Sequence, residues 1–327
     1  MSDGTRDPYT TPGLEEAAGI AASILDEVCR AVLGKRLVLR RILAGLIADG
    51  HVLLDDVPGV AKTLAARSIA AAAGLDFKRV QFTPDLLPAD ITGSLVLDLA
   101  TQTPEFRPGP VFTDLLLADE VNRAPAKTQA ALLEAMQERQ VTADGVAHPL
   151  PRPFLVIATQ NPVESEGTYP LPEAQLDRFL LRTRMGYPDR EDEVRLLEAR
   201  VERKRDEVRL RPVCDAGRCV GVQQALEEIH VDPRLLEYAV ELVQATRSDP
   251  RLDVGASPRG TLALVKLARA EALLDGRDFV GPDDFRTVAI PALAHRVVLT
   301  DEAWARRTDP EAVVREAVDR IPVPRAS

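Results

Sequence analysis

The chain has 327 residues, 45% of them hydrophobic and 28% charged, a balance typical of a folded globular protein long enough for two domains. A formal net charge of −10 and an aromatic content of 4% disfavour a long phosphate-tracking surface lined with base-stacking rings, so no nucleic acid is expected as a partner. No apolar run reaches the roughly 18 residues of a membrane span; Leu37–Leu54 comes closest and is broken by Arg40, Arg41, Asp49 and His51.

The N-terminus lacks an apolar signal core, and the three cysteines, an odd number, suit a reducing compartment. A cytoplasmic protein without membrane insertion is therefore expected. Cys214 and Cys219 have no second cysteine pair or histidine cluster beside them and read as helix or loop thiols.

In chain order, residues 1–14, with Pro8 and Pro12, read as a mobile N-terminal arm. Glu15–Ala48 reads as helices interrupted around Gly34 and Lys35. Val52–Leu54 is a predicted strand and Lys62–Ala73 a helix closed by Gly74. Strands are predicted at Phe77–Phe82, Leu115–Asp119 and Phe154–Thr159, with a helix over Pro125–Gln140. Apolar strands separated by helices predict a parallel sheet covered on both faces. Two hairpins interrupt the alternation, one from Leu95–Leu99 and Phe106–Phe112, the other from Gln140–Thr142 and Val146–Leu150 around Asp144-Gly145. From about Tyr187 strand signals stop, and Asp232-Pro233 and Ser257-Pro258 each read as an N-cap followed by proline at the first helical position. The predicted organisation is an α/β core over residues 15–186 and a helical domain over 187–327.

The segment from His51 to Thr63 runs an apolar strand into a Pro58-Gly59 turn and then into an alanine-rich helix opening with Lys62 and Thr63. That layout presents backbone N–H groups and a helix N-terminus to an anion. Lys62 adds a point charge at the phosphates, and the Thr63 hydroxyl is a candidate Mg²⁺ ligand. The strict phosphate-loop pattern would put glycines where Asp56 and Ala61 stand, and a carboxylate at Asp56 should repel phosphates unless it points elsewhere. Leu115–Asp119 is a buried strand ending in two acids, where ligands bind in parallel sheets. Asp119 suits a metal ligand and Glu120 the group that orients attacking water. Asn161, at the end of the third apolar strand, could hold that water opposite the γ-phosphate.

Phosphate loop, acidic strand and polar-ended strand occur in the order used by AAA+ ATPases. The segments Gly109–Phe112, Asp119–Glu138, Ala158–Pro162 and Leu171–Phe179 resemble the MoxR family of that superfamily, and the resemblance covers roughly residues 15–325. It implies an AAA+ P-loop domain carrying both inserted hairpins, as in magnesium chelatase and MCM proteins, followed by a smaller all-helical lid. It implies ATP and Mg²⁺ as cofactors, with ATP held by Gly34, Lys35, Pro58, Gly59, Val60, Ala61, Lys62, Thr63 and Leu64. Gly34-Lys35 would lie beside the adenine. Metal binding falls to Thr63 and Asp119, and catalysis to Glu120 and Asn161. Arg178 matches the arginine finger that reaches a neighbouring subunit's nucleotide, and Arg259 matches the sensor-2 arginine.

The resemblance further implies a homo-oligomeric, hexameric ring that remodels, assembles or activates a client protein, one class of client containing a von Willebrand factor A domain. A nucleic-acid motor related to MCM-type helicases and a non-hydrolysing nucleotide-dependent scaffold are the alternatives. The four histidines are dispersed and read as structural.

Overall fold

The computed structural model describes residues 9–99, 102–161 and 168–324. Two helices, α1 (Leu14–Cys29) and α2 (Arg36–Ile47), precede β1 (Val52–Asp55), α3 (Lys62–Ala73) and β2 (Phe77–Gln81). A short α4 (Pro88–Thr92) leads into the hairpin β3 (Gly93–Asp98) and β4 (Thr103–Pro108). There follow β5 (Leu115–Asp119), α5 (Ala126–Glu138), the hairpin β6 (Gln140–Ala143) and β7 (Val146–Pro149), β8 (Leu155–Gln160), α6 (Glu173–Leu176) and β9 (Leu181–Thr183).

The strands form one five-stranded sheet in the order β2-β5-β8-β1-β9, and all of its pairings are parallel. Alternate residues point to opposite faces, as a period of two requires. Val52, Leu54, Leu115, Leu117, Leu155 and Ile157 enter one core with α1, α2 and α3. Leu53, Leu116, Ala118, Val156 and Ala158 enter a second with Phe82, Ile91 and α5. Burial on both faces explains why these strands read as unbroken apolar runs.

The hairpins depart from their predicted bounds. In the first, β4 begins at Thr103 and ends at Pro108, so Pro104 lies inside the strand, opposite Leu97, and residues 109–112 lie outside it. A two-stranded ribbon tolerates this because each strand has one free edge, and a proline whose nitrogen faces that edge removes no ladder bond. At its base Gly93 (φ +96°) and Gly109 approach so closely that a Cβ on either would meet the other's backbone. The second hairpin turns at Asp144 and Gly145, both at positive φ (49° and 77°), as its Asp-Gly signal demands. The hairpins also touch: Phe106 stacks on His148 with ring centroids 4.0 Å apart.

The remaining chain is mostly helical: α7 (Arg190–Arg203), α8 (Ala216–Ala225), α9 (Pro233–Arg247), β10 (Leu252–Val254), α10 (Pro258–Leu274), α11 (Pro282–Leu293), β11 (Val298–Leu299), α12 (Asp301–Ala305) and α13 (Pro310–Asp319). Asp232 and Ser257 cap α9 and α10, each followed by proline. The expectation of no strands after Tyr187 is corrected by the antiparallel pair β10–β11, whose two and three residues are too short to show a period. Leu264 and Leu267 of α10 share the core that holds α1 and α2.

Of the expected mobile arm, residues 1–8 lie outside the described residues. Residues 9–13 sit against α8: Thr11 Oγ1 donates to Gln224 at 2.8 Å, and a side chain at Gly221 would strike the Thr10 carbonyl. Among the described residues, no helix is long and apolar enough to cross a membrane.

Candidate functional site

The loop after β1 sits at the C-terminal end of the sheet. Asp56 N–H continues the ladder to the Gln160 carbonyl at 3.1 Å; the chain then leaves through Pro58, an exposed Gly59 at φ +86° and a buried Val60. Gly59 has open space around it, so conformation rather than crowding calls for glycine there. Ala61 holds φ +64° as the residue before α3, and its Cβ makes this left-handed turn cost about 1–2 kcal/mol. Thr63 and an exposed Leu64 follow in the first turn of α3.

Lys62 is buried, and its Nζ donates to the Asp56 carbonyl at 2.6 Å. Burial lowers its pKa, while the carboxylates of Asp119, Asp56, Glu120 and Asp55 pull the other way. The apparent repulsion at Asp56 is resolved by its partners. One carboxylate oxygen accepts from Val57 N–H at 2.9 Å and the other from Gly186 N–H at 2.6 Å, so backbone donors, one within the loop and one beyond it, hold the charge.

Asp119 ends the fully buried β5, and Glu120 turns the chain at φ +56°. Thr159 of β8 links the two: its Oγ1 donates to Asp119 Oδ1 at 2.6 Å and accepts from Glu120 N–H at 2.8 Å. Arg79 takes the other Asp119 oxygen through Nη2 at 2.7 Å and Nε at 3.1 Å. Glu120 Oε2 accepts from Gln81 at 2.7 Å and Arg123 at 3.0 Å. Sequence reasoning missed Thr159, Arg79 and Gln81. Arg79 and Gln81 stand two apart on β2, hence on one face, and that spacing was the available signal. Asn161 is buried at the exit of β8, its carbonyl accepting from Asn122 at 3.4 Å. Because β8 lies between β5 and β1, Asn161 emerges between the acids and the loop.

The two arginines gather elsewhere. Arg178 follows α6 and is half-buried. Its neighbour Asp177 accepts from Ser257 Oγ at 3.1 and 3.2 Å, pairs with Arg296, and lies 3.7 Å from Arg259 Nη1. Arg259 is therefore placed with the segment carrying Arg178. Gly34 (φ +71°) has no room for a Cβ against Asp192 of α7, and Lys35 Nζ donates to the Tyr187 carbonyl at 2.7 Å. Beside them, between α3 and α7, Leu33, Leu64, Arg67, Leu196 and Arg200 line a cavity of about 550 Å³.

A family profile described as the ATPase family associated with various cellular activities (AAA) matches residues 51–181, and an AAA lid domain profile matches 244–317. The chain is 40% identical over 345 aligned residues to Chaperone MoxR1 of Mycobacterium tuberculosis, covering 98% of this chain and 91% of the relative. The chain belongs to the MoxR family of AAA+ ATPases. It is also 47% identical to the uncharacterized protein YeaC of Bacillus subtilis over 95% of this chain and 97% of that protein. The crystal structure of a proposed ATPase from Cytophaga hutchinsonii superposes with a TM-score of 0.88 at 38% identity, covering 95% and 97% of the two chains. The fold is thus the MoxR arrangement of an α/β AAA+ domain with a helical lid.

Proposed function

We propose that this MoxR-family protein hydrolyses ATP with Mg²⁺ in a homo-oligomeric, hexameric ring and uses the cycle to remodel, assemble or activate a client protein in the cytoplasm. The observation that carries this reading is the convergence of Lys62, Asp119 and Glu120 at the C-terminal ends of β1 and β5, the two strands that flank β8, where the lysine feels both carboxylates. In this reading residues 15–186 are the ATPase core and 187–327 the lid.

The loop N–H groups from Gly59 to Thr63 and the Lys62 ammonium bind phosphate oxygens, and the cavity beside Leu33 and Leu64 takes the base and ribose. The carboxylate oxygens of Asp119 and Glu120, shared at present with Arg79 and Arg123, suit a hard divalent cation. Asp119 and Thr63 would hold Mg²⁺, which neutralises phosphate charge when bound. Glu120 accepts the proton of the attacking water once it leaves Gln81 and Arg123, and Asn161 orients that water. Arg178 acts on the nucleotide of a neighbouring subunit, and Arg259 senses nucleotide from the lid.

The relative named Chaperone MoxR1 supports a chaperone-like role. A client with a von Willebrand factor A domain rests on the family resemblance alone. Steady-state ATPase measurement across protein concentration tests the reading. Specific activity should rise with assembly, Lys62→Ala should lose ATP binding, and Glu120→Gln should bind ATP yet turn over slowly. A parent protein that binds ATP but never hydrolyses it would leave only the scaffold.

A further inference from the structure

Cys214 and Cys219 lie away from the nucleotide site, where α8 meets the C-terminal end of α3. Their sulfurs are 3.5 Å apart. Local structure sets this distance: Asp215 caps α8 by accepting from Arg218 N–H at 2.8 Å. Cys214 therefore stands just before the cap and Cys219 one turn into the helix, positions whose side chains meet across a helix entrance.

A second contact orients both thiols. They point at the Ala73 carbonyl, 3.4 Å from Cys214 and 3.6 Å from Cys219, one of the last carbonyls of α3, for which the helix itself offers no amide. The backbone around them is clamped, with Val213 N–H donating to the Ala72 carbonyl at 2.7 Å. At Gly74 a Cβ would collide with the Cys214 carbonyl. Cys219 is 4% exposed, whereas Cys214 is only half-buried.

We propose that Cys214 and Cys219 form a modification site, a reversible intrachain disulfide entered through Cys214 by exchange with a small-molecule disulfide and closed by Cys219. In the first exchange the Cys214 sulfur attacks the reagent's S–S bond, forming a mixed disulfide and releasing one small thiol. In the second the Cys219 sulfur attacks Cys214, forming the protein disulfide and releasing the other. Two protons and two electrons pass from the cysteine pair to the reagent, which leaves as two thiols. The contact between the two sulfurs draws the Cys214 thiol below its usual range and, with burial, pushes Cys219 up. Cys214, the more exposed of the two, is therefore the sulfur that meets the reagent. The bond forms where the phosphate-loop helix touches α8, so the pair reports on that contact.

The full chain is incubated with oxidised glutathione, quenched in acid, denatured for thiol counting and digested with trypsin without reduction. Free thiols should fall from the three of the sequence to one. Because Arg218 separates the two cysteines, trypsin should leave their fragments joined, and dithiothreitol should part them. Cys219→Ser keeps a hydroxyl donor for the Ala73 carbonyl and should stop at a single glutathione on Cys214. Retention of all three thiols, a cross-link through Cys29, or no glutathione on Cys214 in the Cys219→Ser protein would overturn the proposal.

Discussion

Arg79 grips Asp119: its Nη2 and Nε both reach the same carboxylate oxygen, at 2.7 and 3.1 Å. That oxygen belongs to the residue proposed to hold Mg²⁺, so cation and guanidinium compete for it. The Arg79 side chain is 47% exposed, which limits the pair to about 0.5–1 kcal/mol. Arg79→Ala should lower the Mg²⁺ concentration that half-saturates nucleotide binding by about two- to fivefold. Titration of Mg²⁺ into protein with a fluorescent ATP analogue checks this, and an unchanged or raised midpoint would show that the two do not compete.

Thr159 should matter more than its place within an apolar strand suggests. Thr159→Val keeps the shape but removes the hydroxyl that serves both Asp119 and Glu120. Two buried polar groups would lose a partner, a cost of about 1–3 kcal/mol for each group left unsatisfied. Urea unfolding should report the loss, with slower ATP turnover beside it. A variant as stable and active as the parent would remove Thr159 from the site.

Arg178 is expected to act in trans. Arg178→Ala should slow turnover by about 10³–10⁵-fold, and Arg178→Lys should also be impaired because lysine lacks the planar fork of donors. Mixing Arg178→Ala with Lys62→Ala should restore part of the activity, since an intact loop can then meet a neighbour's intact arginine. Light scattering must first show that each variant assembles. If both assemble and exchange subunits while every mixture stays silent, the arginine does not work across subunits.

Stability should fall in mild acid. His51 Nδ1 accepts from Val156 N–H at 3.0 Å, so its Nε2 carries the proton and donates to the Met136 carbonyl at 3.0 Å. Burial lowers its pKa from the usual 6.5 to about 3, and burial lowers that of His295 too. Between these values the unfolded chain binds protons that the folded chain refuses. The stabilisation is thus complete above the unfolded pKa and is lost as pH falls below it, by up to about 1.4 kcal/mol per pH unit for each group. Urea unfolding from neutral pH downward measures the slope. His51→Gln should flatten it, and an unchanged slope would assign the effect to other groups.

The parts legible in the sequence were those with a local physical cause. Leu115–Asp119 reads as a strand because both faces are buried, and its bounds in the fold agree with the reading. Asp232-Pro233 and Ser257-Pro258 open helices because an oxygen side chain and a fixed φ suit the first turn. Asp144-Gly145 turns a hairpin because only such residues readily take two positive φ values. In the β3–β4 hairpin Gly93 pairs with Pro108 and closely approaches Gly109, a contact that no local period reveals, and the strand limits were misread there.

By itself the sequence determined the alternation of strands and helices, the phosphate-loop layout around Lys62 and the acids at the end of β5, because each depends on residues near one another in the chain. Only the tertiary structure decided what those groups touch. Asp56 is quieted by Gly186, Asp119 is shared between Arg79 and Thr159, and Arg259 is drawn to Asp177. Each contact joins segments far apart in sequence, and a hydrogen bond a few ångströms long leaves no periodic trace along the chain. The strand order β2-β5-β8-β1-β9 brings Arg79, Asp119 and Thr159 side by side, and packing across the sheet, rather than any local preference, fixes that order.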